Sequence, residues 1–184
     1  MTESTELDPK KVFLLNEVIS LSISAAFKTM NPNFPIYDKD KKHGDELKRY
    51  ISGILQNYEG GWLNKILDPN AHSEFIIKFA DDTTDRHKYI LHKEKFRIGV
   101  TQKLLNLFLK YLWVLGYLNQ DKQPASCPFD SQILGALGIN DRWTEVDDIK
   151  KYEQWISAAV NVAEKENKSI AEWELEKFNG LNYG

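Results

Sequence analysis

The chain has 184 residues, with 24 lysines and arginines against 27 aspartates and glutamates, and a formal net charge of −3. Apolar residues make up 42% and aromatics 12%, a composition that excludes a disordered chain, and the length suits one domain with a sizeable core or two small ones; with no domain boundary visible, one helical domain over 1–184 is expected. The negative balance argues against a general nucleic-acid binder that works through bulk charge.

The N-terminal eleven residues, MTESTELDPKK, are acidic and polar and do not read as a signal peptide. A first helix is expected over 8–30: Asp8 caps it, Pro9 suits its first position, and Val12, Leu15, Ile19 and Ile23 recur at helical spacing. Residues 31–40 contain two prolines and read as a loop pinned by Phe34, Ile36 and Tyr37. A second helix is expected over 45–58, broken by Gly60-Gly61, and a short third one over 62–67, stopped by Asp68-Pro69. The run 71–80 is read as helix, 81–85 as a polar turn, and 86–95 as a short helix with Tyr89 and Ile90 inward.

From Ile98 to Leu118 nearly every residue is apolar; Lys103, Asn106 and Lys110 make one narrow polar stripe at i, i+3 and i+7. A helix apolar on almost all sides is a central core helix, and the two lysines and the asparagine argue against a membrane span. Thr101 is the expected N-cap after a turn at Gly99, which places Lys103 in the first turn. The helix dipole disfavours a second positive charge there, so Lys103 is a candidate amine nucleophile; the other reading is a lysine that reaches solvent or pairs with a carboxylate.

Beyond a polar connection comes Cys127-Pro128-Phe129-Asp130. Asp130 is read as the N-cap of a helix over 131–137 that Gly138 ends as its C′ residue. Its second carboxylate oxygen remains available to act beside Lys103 as a base or an electrostatic stabiliser. Cys127 is the lone cysteine, which excludes an internal disulfide and fits a reducing, cytoplasmic setting; beside Pro128 it reads as a small packed residue before it reads as a thiol nucleophile. After 139–143, a capping box of Thr144 and Asp147 opens a helix over 145–166, and a second box of Ser169 and Glu172 opens the last helix, with a fraying tail over 179–184. The fold class is therefore all-α, a compact helical bundle.

Charge is unevenly spread. Residues 86–110 carry seven Lys/Arg and one acid, a net +6 that leaves −9 on the remainder of a −3 chain. A basic face of this kind can contact phosphates, or simply be solvated. Residues 141–177 hold ten acids and six bases and are expected to face water or a basic partner. His87 and His92, five apart, do not share a helix face, so a metal site is not expected.

Gly99-Val100-Thr101-Gln102-Lys103, followed by an apolar helix and then by Pro128-Phe129-Asp130 with Ile133, Leu137 and Gly138, resembles the helix-hairpin-helix DNA glycosylase superfamily, nearest its archaeal 8-oxoguanine branch. The likeness covers 96–138, with 86–95 as the first arm of the hairpin; Thr101 stands where the family has a second hairpin glycine. The resemblance implies that Lys103 is a Schiff-base nucleophile and Asp130 the carboxylate that assists it. It further implies a DNA partner held by Arg86, Lys88, Lys93, Lys95, Arg97, Gly99 and Thr101, and chemistry that requires no metal or organic cofactor. The alternative is a non-catalytic helical module that binds nucleic acid or a protein.

Overall fold

The computed structural model describes residues 8–28, 33–37, 41–58, 61–118 and 121–183. Among them are eight α-helices: α1 Pro9–Phe27, α2 Lys41–Gln56, α3 Trp62–Leu67, α4 His72–His87, α5 Ile98–Val114, α6 Ser131–Ala136, α7 Ile149–Lys165 and α8 Ile170–Tyr183. Nothing described is a strand, and the one β-type contact is an isolated antiparallel bridge between Tyr37 and Leu91. The fold is all-α, as periodicity and the cap signals predict.

A single apolar cluster draws residues from all eight helices. At its centre lies α5, every residue of which from Ile98 to Lys110 is buried. A stripe at i, i+3 or i+4 explains how each outer helix joins it: Leu47, Ile51 and Leu55 from α2, and Tyr152, Trp155, Ala159 and Ala163 from α7 are all inward. Asp8 caps α1 by accepting from Lys10 N, as predicted. Ser169 and Glu172 form the reciprocal box at α8, with Ser169 N donating to Glu172 Oε2 at 2.9 Å and Glu172 N donating to Ser169 Oγ at 3.2 Å. Gly138, with φ of +72°, ends α6 in the left-handed region as predicted for C′.

Four local expectations are corrected. The polar stretch 81–85 is not a turn but part of α4, because Thr83 faces the core while Asp81, Asp82 and Asp85 lie on the solvent side. Residues 86–95 do not form a helix: α4 stops at His87, the chain pairs with the 33–37 loop through His92 N donating to Ile36 O, and Lys93 and Glu94 take positive φ within a single 3-10 turn. The helix read over 145–166 starts at Ile149, capped by Asp148, after a 3-10 turn at Trp143–Glu145; Asp147 is turned towards Lys95 and Ile98 instead. The last helix runs to Tyr183, so 179–183 are helical.

Candidate functional site

The site is built where the first two turns of α5 meet the segment that leads into α6. Helix α5 starts at Ile98, three residues before the expected cap. Its first amides find acceptors on a distant segment: Gly99 N donates to Val146 O at 2.8 Å, and Ile98 N to Asp147 Oδ1 at 3.4 Å. Thr101 is therefore not the N-cap; its hydroxyl, fully buried, donates back to Arg97 O at 3.0 Å. Lys103 lies in the second turn, not the first.

Asp130 extends one oxygen to each of two tasks. Oδ1 accepts from Gln132 N and Ile133 N and caps α6, while Oδ2 stands 2.6 Å from Lys103 Nζ. The two residues, 27 positions apart in sequence, thus converge, with side-chain exposures of 9% for the lysine and 19% for the aspartate. Burial alone would push the Asp130 carboxyl up; the adjacent lysine charge and the two capping amides outweigh it and hold the carboxyl below its ordinary range.

The rest of the polar stripe is also met from across the core. Asn106 Nδ2 donates to Cys127 O at 3.0 Å and to the Tyr152 hydroxyl at 2.9 Å. That hydroxyl lies 2.7 Å from His72 Nε2 and 3.0 Å from Ser126 Oγ. His72 Nδ1 donates to Ile66 O at 2.8 Å, so its Nε2 is the acceptor towards Tyr152. One turn on, Lys110 Nζ is gripped by both oxygens of Glu174 on α8, at 3.0 and 2.8 Å, and lies over the Phe178 ring at 4.2 Å. Cys127 is fully surrounded, and burial pushes its thiol well above the ordinary range, which suits packing rather than nucleophilic attack.

Glu174 was not legible as a site neighbour, because the 141–177 region reads as solvent-facing by charge count. The signal that could have found it is spacing: it stands four after Ile170 and next to Trp173, on the buried side of α8. Gln102, which the motif places next to Lys103 without a role, is fully buried.

The predicted phosphate-contacting residues divide into two groups. Arg86, Lys88, Lys93 and Lys95 are exposed; Arg86 lies over the Tyr50 ring, Lys93 over Phe34, and Lys95 pairs with Asp147. Arg97, Gly99 and Thr101 are buried and engaged within the fold, although Arg97 Nη1, itself buried, has no hydrogen-bond partner among the described residues. Arg97 Nε donates to Thr144 O at 2.6 Å, and its Nη2 to Phe34 O and Pro35 O at 3.2 and 2.9 Å. With the Gly99 amide bound to Val146, none of the three presents a donor to an outside phosphate. Two open clefts of about 650 and 610 Å³ flank α2, sharing Arg49 between them, and neither is lined by Lys103 or Asp130.

No helix among the described residues is long and apolar enough to cross a membrane. Comparison with protein-family models, with curated proteins and with solved structures found no match to this chain.

Proposed function

We propose that this protein is a DNA base-excision glycosylase/AP lyase-like enzyme acting on a damaged base of the 8-oxoguanine type, with a cytoplasmic location and DNA as its partner. One observation carries the reading: Asp130 uses one oxygen to cap α6 and the other to hold the Lys103 amine at 2.6 Å, at the half-buried edge of the core. An amine and a carboxylate so placed can divide the work of replacing a glycosidic bond. The C1′–N bond breaks with its electron pair leaving on the base, which takes up a proton. The deprotonated Lys103 Nζ bonds to C1′, and the proton it gave up passes by way of Asp130 to the departing base. A proton then moves from the alkylated Nζ to O4′ as the C1′–O4′ bond opens, which yields the Schiff base, and loss of a C2′ proton to a base expels the 3′ phosphate. The exposed members of the basic run, Arg86, Lys88, Lys93 and Lys95, supply phosphate contacts in this account.

The engagement of Arg97, Gly99 and Thr101 within the fold favours a second reading, a non-catalytic helical module that binds nucleic acid or protein. Incision of duplexes containing 8-oxoguanine or an abasic site separates the two. The leading reading expects strand cleavage by the wild type that Lys103→Gln abolishes and Asp130→Asn reduces by about two orders of magnitude. Salt-sensitive DNA binding without cleavage leaves the module.

A further inference from the structure

Gln102 is fully buried and every polar atom of its carboxamide is used. Its Oε1 accepts from Phe129 N at 3.1 Å, and its Nε2 donates to Phe129 O at 2.7 Å and to Gly99 O at 3.0 Å. One side chain thus closes on both the N–H and the C=O of a single peptide residue, as a neighbouring β-strand would. The position of this clasp is what matters. Gln102 precedes Lys103, and Phe129 precedes Asp130. The Phe129 ring is also held, edge-on to Tyr152 at 5.9 Å and tilted against Trp155 at 5.8 Å between centroids. With backbone and ring of Phe129 both fixed, the next carboxylate has little room to wander from the next amine.

We infer that Gln102 is the positioning residue of the Lys103–Asp130 pair, setting through Phe129 where the carboxylate stands against the amine. The inference rests on the reading of those two residues as the reacting pair, and deepens it. Gln102 touches no substrate. It acts by removing the freedom of the 127–130 segment, so that the Asp130 carboxylate is in place before DNA arrives. A residue of equal size without the carboxamide would fill the same space and leave the Phe129 N–H and C=O buried without partners.

The test uses the full chain with its aspartate carboxyls ¹³C-labelled, the Asp130 signal being assigned by its loss in Asp130→Asn. In wild type the Asp130 carboxyl is expected to titrate below the ordinary carboxylate range, held there by Lys103 and the two capping amides. In Gln102→Met it moves up towards that range, and the rate of borohydride trapping on abasic-site DNA falls about tenfold or more while the KM for DNA stays within twofold. Gln102→Glu keeps an acceptor for Phe129 N–H and loses the donors, and is expected to fall between the two. A folded Gln102→Met whose Asp130 titrates as in wild type overturns the inference. Should that variant fail to fold, hydrogen exchange of the wild-type Phe129 amide decides: slow exchange supports the clasp and exchange at a free-loop rate overturns it. Wild type that never traps DNA defeats the glycosylase reading alone, and the titration still judges the clasp.

Discussion

Gly99 comes so close to Trp143 that a Cβ added to it would stand 1.7 Å from the Trp143 carbonyl oxygen. The glycine is required there by space, not by a turn, and the close approach is what lets its amide reach Val146 O. Because the obstructing atoms are backbone, Gly99→Ala must displace either the start of α5 or the 143–146 segment. Overpacking of this kind costs about 3 kcal/mol. The expected outcome is a matching fall in stability by urea titration, with loosening of the Lys103–Asp130 contact. Gly53, inside α2 with nothing within 4 Å of its added Cβ, is the control: Gly53→Ala should raise stability by about 0.5–1 kcal/mol.

The Lys110–Glu174 pair ties α8 to the central helix, with side-chain exposures of 10% and 2%. Burial pushes the Glu174 carboxyl up, and Lys110 draws it part of the way back. Removing one partner leaves the other charge uncompensated, so Lys110→Met is expected to cost about 3–5 kcal/mol, whereas Lys110→Met with Glu174→Leu recovers most of that loss. A double-mutant cycle by chemical denaturation measures the coupling.

Acid is expected to weaken the fold through its two buried histidines. Burial pushes His72 and His87 below the ordinary imidazole value, His87 against the opposing pull of Glu46. Both groups therefore bind protons more readily in the unfolded chain. Stability is fully present above the unfolded value of about 6.5 and declines as pH falls below it towards the lower folded values. Both ring nitrogens of His87 are buried with no hydrogen-bond partner among the described residues; Nδ1 stands 3.6 Å from Glu46 Oε1, and the Tyr50 ring centroid lies 4.7 Å from that of His87. His87→Phe is thus expected to flatten the profile of Tm against pH between 7 and 5; an unchanged slope assigns the loss to other groups.

Much of the architecture was legible because local sequence and tertiary packing agree in it. The caps at Asp8, Asp130 and Ser169, and the inward stripes of α2 and α7, follow from spacing alone. The meeting of Lys103 and Asp130 was legible from motif resemblance together with the two oxygens of a capping carboxylate. What was misread depends on partners remote in sequence. The start of α5 is satisfied by carbonyl and carboxylate groups of 146–147, which no local cap signal reveals. Residues 81–85 look like a turn by composition, yet one inward Thr83 between outward aspartates continues the helix. Arg97 counts as surface charge in a sequence, whereas three backbone carbonyls from two other segments draw it inside.

The most direct measurement is borohydride reduction of the protein mixed with duplex DNA containing an abasic site, followed by mapping of the modified peptide by mass spectrometry. The account predicts a covalent adduct on Lys103, absent in Lys103→Gln and slowed in Asp130→Asn. No adduct on wild type, or an adduct at another lysine that persists in Lys103→Gln, would contradict it.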